Sequence, residues 1–160
     1  MSAFTRRSFV KSSGLAVLAL AAKDLHAASW RVGASARDIP WKVQQVLRRL
    51  FGDRTVHEGH VQLDVPTVAA DGRVVPVLIE SDLSMAPAPG SYVKAVHILV
   101  DNNPDIHLAE FRFTPAIGQA FVSTRIKMRM TSPVRAIVET STGELWGGAA
   151  EVRVTVNGCG

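Results

Sequence analysis

The stretch FVSTRIKMRM, residues 121–130, decides the fold class because its side chains alternate regularly in character. In a β-strand, successive side chains point to opposite faces, so every second residue shares a face. The apolar face comprises Val122, Thr124, Ile126, Met128 and Met130. The opposite face carries Ser123 and a basic stripe of Arg125, Lys127 and Arg129. The pattern predicts a half-buried strand, whose basic stripe is either a solvated surface or a surface that receives an anionic group or an acidic partner.

Six further stretches predict short strands, since each combines apolar or β-branched residues with turn signals at its ends. They are residues 61–65, 74–80, 92–100, 108–113, 134–140 and 150–156, with Val152, Val154 and Val156 facing inward in the last of them. Short strands at this spacing indicate an all-β fold, an antiparallel β-sandwich. Because residues 92–100 and 134–138 are apolar on both faces, we expect a partner protein to cover one sheet face.

One amphipathic helix precedes the strands. Pro40 suits a first helical turn, and the apolar residues Val43, Val46 and Leu50 recur at helical spacing after it. Gly52 then provides a natural stop. The sequence therefore predicts a short helix over about residues 39–51, packed on the body of a single domain that spans residues 28–156.

The first 27 residues have the pattern of a twin-arginine signal peptide. Arg6 and Arg7 are followed by Phe9 and Lys11, and then by an apolar run over residues 15–22 that is too short to span a bilayer. Small residues end the segment, as they do before a cleavage site. Such a signal is an address read by a receptor, and it predicts export of the folded protein to the periplasm.

The charge of the chain gives no support to nucleic-acid binding. The formal net charge is +4, and the signal segment accounts for most of the excess of basic residues. The remainder of the chain is close to neutral and contains no basic run interleaved with aromatic residues. DNA-binding and RNA-binding functions are therefore not expected.

The last four residues, Asn157-Gly158-Cys159-Gly160, carry the only cysteine of the 160 residues. The glycines on both sides leave the backbone free to turn, so a thiol on a short exposed tether is expected. In the oxidising periplasm, a single cysteine pairs with another molecule or stays reactive. The sequence offers no base held beside Cys159, as a nucleophilic enzyme would require, so the chain is not expected to be an enzyme.

Histidines are the remaining candidate ligands. His57, His60, His97 and His107 could in principle join Cys159 around a metal ion, but none of them has the spacing of a known metal site. Scattered surface histidines are the commoner case. No metal site and no cofactor are predicted.

Several stretches of the chain together resemble one family. They are DGRVVPV at residues 71–77, VDNNP at 100–104, AEF at 109–111, STRIKM at 123–128, VRAIVET at 134–140 and the Gly-Cys-Gly tail. The sequence is similar to the SoxY family, the sulfur-carrier subunits of the periplasmic thiosulfate-oxidising system. In that family the usual ending is Gly-Gly-Cys-Gly-Gly, whereas here Asn157 replaces the first glycine and the last glycine is absent.

The resemblance implies an immunoglobulin-like β-sandwich that pairs with a SoxZ-like subunit as a heterodimer. It also implies that Cys159 is the covalent attachment point for sulfur intermediates, with Gly158 and Gly160 as its swivel. A c-type cytochrome complex would load thiosulfate onto Cys159, and a metal-dependent hydrolase would release sulfate from it. A sulfane dehydrogenase acts on the remaining sulfur in some organisms.

The single cysteine also allows two interpretations other than a sulfur carrier. In one, the protein is a β-sandwich adaptor whose cysteine forms only an intermolecular disulfide. In the other, it is a thiol-redox enzyme, which the absence of a second, resolving cysteine in the sequence disfavours.

Overall fold

The computed structural model describes residues 39–87 and 90–156, all within one compact unit. The predictions for Arg6, Arg7, Gly158, Cys159 and Gly160 fall outside these residues. Helix α1 spans Trp41–Phe51, and a 3-10 turn spans Pro115–Ile117. The strands are β1 (Val56–Glu58), β2 (Val61–Asp64), β3 (Val68–Asp71), β4 (Val75–Ser81), β5 (Val93–Val100), β6 (His107–Arg112), β7 (Phe121–Ile126), β8 (Ser132–Thr140) and β9 (Leu145–Val156).

The strands form two sheets, which confirms the predicted β-sandwich with one N-terminal helix. The large sheet has the order β1-β9-β8-β5-β6, with β3 also paired to β9, and the small sheet has the order β2-β4-β7. Most pairs are antiparallel, but β1 and β3 both run parallel to β9. The 12 residues of β9 make room for both, because β1 lies beside its beginning and β3 beside its end.

The core between the sheets is built from the alternating side chains of these strands, as the sequence predicts. The β5 residues Val96, Ile98 and Val100 are at most 1% exposed and share one cluster with residues of both sheets. Full burial of a valine or isoleucine side chain contributes about 1.5–3 kcal/mol to folding. The other members from β4, β7, β8 and β9 are Val75, Val77, Ile79, Val122, Ile126, Val134, Ala136, Val138, Val152 and Val154.

The outer face of the large sheet is covered by helix α1. Leu99 of β5 and Ile137 of β8 are buried there in a second apolar cluster, together with Val43 and Phe51 of the helix. Gly52 ends the helix with a φ of 67°, which glycine adopts without strain, and its N–H donates to the Arg48 carbonyl. Part of the apolar outer face is thus buried by the chain's own helix, so the apolar character of β5 and β8 on both faces does not by itself indicate a face covered by a partner.

Strand β7 ends earlier than its sequence pattern predicts. After Ile126 the chain leaves the sheet, because the Met128 N–H donates to the Gly72 carbonyl at 2.7 Å instead of continuing the ladder with β4. Met128 is still buried, as predicted, but Met130 is 46% exposed, so its assignment to the inward face was wrong. Among the described residues, no helix is long and apolar enough to cross a membrane.

Candidate functional site

The predicted attachment residue Cys159 and its neighbours Gly158 and Gly160 lie beyond the described residues, but the structure describes the place from which they extend. Three segments meet around the end of β9, and we call them, together with Val68, the tail base. They are residues 153–156 at the end of β9, residues 71–74 between β3 and β4, and residues 127–131 between β7 and β8.

Hydrogen bonds join the three segments of the tail base. Val156 is the register partner of Asp71 in the β3–β9 ladder. The Thr155 hydroxyl donates to the Ala70 carbonyl at 3.2 Å, and the Val154 N–H donates to the Thr131 hydroxyl at 3.0 Å. Since each bond connects segments distant in sequence, the backbone from which the tail leaves is fixed to its neighbours.

Asn103, in the connection between β5 and β6, forms hydrogen bonds with the segment of residues 127–131. Its Nδ2 donates to the Lys127 carbonyl at 2.8 Å, and its Oδ1 accepts from the Arg129 N–H at 2.9 Å. Both bonds use the backbone of the segment, so the side chains of Lys127 and Arg129 remain free and exposed. The Asn-Asn-Pro motif at residues 102–104 therefore stabilises the backbone of the tail base.

The tail base is rich in cations. Arg73, Lys127, Arg129 and Arg153 are all exposed, and the last three form no ion pair within residues 39–87 and 90–156. Asp71 is the only acidic residue of the three segments, and it already binds Arg73. The hydrogen bonds from the Arg73 side chain and backbone lower the pKa of Asp71, and the bond to Asp71 raises the pKa of Arg73.

Exposed apolar side chains accompany these cations. Val68 is 50% exposed, Val74 is 57% exposed and Met130 is 46% exposed. The sequence pattern predicted the basic stripe of β7 but not this arrangement, because it depends on the pairing of β3 with β9 between Val68 and Arg153. The strands β3 and β9 are far apart in sequence, and the four residues of β3 show no clear alternation from which a strand could have been predicted.

The histidines occupy two different settings. His57 and His60 lie against the indole ring of Trp146, with ring centroids 5.2 and 4.4 Å away. His97 and His107 share a hydrogen bond of 3.2 Å between Nδ1 and Nε2. Within the part of the chain that the structure describes, no three His, Cys, Asp or Glu side chains are grouped so that they could hold a metal ion.

Charged groups also lie on the helix-covered face of the large sheet. Arg135 binds Asp101 through two hydrogen bonds of 2.8 and 2.7 Å, and both side chains are buried. Nearby on β8, burial raises the pKa of Glu139, but hydrogen bonds and charge from Arg54 and Lys94 outweigh it, and the net pKa is lowered. These carboxylates are bound by arginine or lysine within the chain and are not available to a substrate.

His97 lies on the same face, beneath the ring of Phe51 at a centroid distance of 4.9 Å. Burial lowers the pKa of His97, while the charges of Glu110 and Glu139 oppose the effect. The neutral imidazole is therefore favoured in the folded protein. Burial within the fold is the main cause of the lowered pKa of this histidine.

Comparison with known proteins gives a family and a fold. The family described as "Sulfur oxidation protein SoxY" matches residues 47–159, a range that includes Cys159. The sulfur carrier protein SoxY from Chlorobium limicola f thiosulfatophilum is 24% identical, with a TM-score of 0.60, and the match covers 72% of this chain and 97% of that one. No curated protein sequence matches the chain significantly.

A second group of solved structures shares the fold. The superoxide reductase (neelaredoxin) from Ignicoccus hospitalis has a TM-score of 0.55 at 13% identity, and the match covers 62% of this chain and 94% of that one. At this identity the similarity shows a common β-sandwich and nothing about activity.

Proposed function

This chain belongs to the SoxY family of sulfur oxidation proteins, and from that premise we propose that it is a periplasmic carrier that holds the intermediates of thiosulfate oxidation on Cys159. One observation carries the proposal: the family match extends through residue 159, and Cys159 is the only thiol in the chain. Every covalent step of a carrier would have to use it.

The chemistry on Cys159 would require partner enzymes. In loading, the thiolate and thiosulfate form a sulfur–sulfur bond and give up two electrons, which a c-type cytochrome complex would accept. The product is a cysteine S-thiosulfonate. A sulfate-releasing hydrolase would then add water across its terminal S–S bond, giving sulfate, two protons and a cysteine persulfide. A sulfane dehydrogenase is the candidate for oxidation of the remaining sulfur.

The described part of the fold supports a carrier without catalytic machinery of its own. The buried acidic side chain Asp101 is bound by Arg135, and the half-buried Glu139 is bound by Arg54. The perturbed histidine His97 lies beneath helix α1. We therefore propose that the protein supplies an attachment point and a stable body, and that it needs no resident metal or cofactor.

The proposal includes an export route and a stable partner. Residues 1–27, with Arg6 and Arg7, would direct the folded protein through the twin-arginine pathway. A SoxZ-like subunit would form a heterodimer with it and cross the membrane with it. Gly158 and Gly160 would let Cys159 swing into the active sites of different enzymes.

The test is the intact mass of the protein purified from cells grown on thiosulfate, before and after treatment with a thiol reductant. We expect mass additions of sulfur or thiosulfate size that the reductant removes. A Cys159→Ser variant should lack all of them. A free thiol or a simple disulfide dimer, in cells that contain the partner enzymes, would instead support the adaptor.

A further inference from the structure

We propose that the tail base is a docking surface for enzymes whose active-site entrances carry carboxylates around an apolar rim. The inference rests on the proposed function of Cys159 and adds the surface on the body of the protein that those enzymes recognise. Four observations carry it: the shortness of the tail, the charge of the surface, its exposed apolar side chains and its fixed backbone.

The shortness of the tail makes contact with the tail base unavoidable. Cys159 follows Val156 by three residues, and three extended residues span about 10 Å. An active site that receives the Cys159 thiol must therefore bring its entrance to within about that distance of Val156. The residues around Val156 then lie in the interface whichever enzyme is bound.

The charge of the tail base determines which entrance fits it. Within its three segments, Arg73, Lys127, Arg129 and Arg153 outnumber the one carboxylate, Asp71, which is already bound to Arg73, although the exposed Glu151 lies two residues before Arg153 on β9. Opposite charge on the enzyme would accelerate association and orient the two proteins, whereas like charge would repel them. A carboxylate-bearing entrance is therefore the complementary partner.

The exposed apolar side chains indicate a protein partner. Val68, Val74 and Met130 are three of the six large apolar side chains that the described residues expose. A small anion would gain nothing from them, whereas a protein interface buries such groups beside arginine and methionine side chains. Methionine is also adaptable in shape, which suits a surface that meets several different enzymes.

The backbone of the tail base is fixed before any partner binds. Asn103 holds the Lys127 carbonyl and the Arg129 N–H, and the Met128 N–H is bound to the Gly72 carbonyl. A surface that is already ordered loses little conformational entropy on binding. Lys127 and Arg129 can therefore be tested by side-chain replacement without removal of these backbone bonds.

The experiment measures sulfate release from chemically loaded protein. Tetrathionate converts the Cys159 thiolate to the S-thiosulfonate and releases thiosulfate, which supplies a defined substrate whose mass can be checked. The purified sulfate-releasing hydrolase of the same organism is then assayed with the wild type and with a Lys127→Glu/Arg129→Glu variant. The matched control is Arg49→Glu/Arg112→Glu, which makes the same change in net charge on α1 and β6, away from β9.

We expect the Lys127→Glu/Arg129→Glu variant to lower kcat/KM on the order of tenfold at low ionic strength, mainly through KM. The difference should shrink as salt screens the charges. At an ionic strength of about 0.1 M the control should change kcat/KM by less than about twofold, since charges more than a Debye length of about 10 Å away are then largely screened. Loading by tetrathionate at high ionic strength, where this dianion is screened from the altered charges, should be equally fast in all three proteins, and their melting temperatures should agree.

Three results would overturn the docking proposal while the carrier function stands. The first is an unchanged kcat/KM in the Lys127→Glu/Arg129→Glu variant. The second is an equal loss of kcat/KM in the control variant, which would indicate an effect of net charge alone. The third is a reaction with tetrathionate that is slowed as much as the hydrolase reaction, which would indicate a site for small anions. If the loaded wild type released no sulfate at all, the carrier function would itself fail, and the docking surface with it.

Discussion

The chain contains two aspartate–arginine pairs, one buried and one exposed to water. Asp101 and Arg135 lie on the face of the large sheet that helix α1 covers, and their side chains are 1% and 9% exposed. Asp71 and Arg73 lie at the tail base, where the side chains are 38% and 66% exposed. In both pairs the guanidinium donates to both carboxylate oxygens: Arg135 through Nε and Nη2 at 2.8 and 2.7 Å, and Arg73 through Nε at 3.1 and 2.8 Å.

The difference shows that geometry alone does not decide what a charge pair does. A buried charge has lost its water, so its partner becomes indispensable to folding. An exposed pair is screened and contributes little to stability, so its members can exchange partners at small cost. The helix-covered face therefore uses its charges for structure, whereas the charges of the tail base are exposed to solvent, as the proposed docking surface requires.

The strongest test of this comparison is to remove the carboxylate charge from each pair. Asp101→Asn leaves Arg135 charged and buried, and we expect a loss of about 3–5 kcal/mol in the free energy of unfolding. Asp71→Asn is the matched control and should leave stability close to that of the wild type, because Arg73 is solvated. Urea denaturation of the two variants measures both values. Equal losses would mean that exposure does not distinguish the two pairs.

A second comparison uses apolar side chains from the same two regions. Leu99 is 0% exposed beneath helix α1, and Leu99→Ala should cost about 2–5 kcal/mol because it leaves a cavity there. Val74 is 57% exposed at the tail base, and Val74→Ala should not measurably change the urea midpoint. A large loss from Val74→Ala would show that this side chain supports the fold and is not reserved for an interface.

The smallest expected effect is a dependence of stability on pH at the covered face. Because burial lowers the pKa of His97, the unfolded chain binds a proton more readily than the folded one. Stability should therefore fall as the pH drops below about 6.5, the ordinary histidine pKa, by at most about 1.4 kcal/mol per pH unit. Urea denaturation of the wild type and of His97→Gln between pH 7 and 5 should give a shallower decline for the variant. Parallel curves would show that other groups cause the decline.

Most of the fold could be predicted from local patterns. Helix α1 and the strands around Val96, Val122 and Val152 have side chains that repeat with the period of their element, and each was found close to its predicted position. Strands β1 and β3 were missed. Each is three or four residues long, and each is held by β9 across about 85 to 90 residues of sequence, which no local pattern reports.

The candidate site was predictable only in part, for the same reason. The basic stripe of residues 125–129 is visible in the sequence, and so is the single cysteine. Its neighbours Val68, Arg73 and Arg153 come from separate segments that meet only through the β3–β9 pairing. The packing of α1 on the body of the domain was predicted, but the sheet face that it covers was not, since an apolar strand face does not reveal whether its cover comes from the same chain.

Strand β9 has a consequence for synthesis of the protein. It is the last of the described strands in the chain, yet β1, β3 and β8 all pair with it. The early strands must therefore wait with unpaired edges, and a chain that stops before β9 keeps those edges open to aggregation and proteolysis. Cys159 follows β9 by only three residues. The fold is therefore complete only once the chain has been translated almost to Cys159, and a product truncated before β9 lacks both the closed sheet and the thiol.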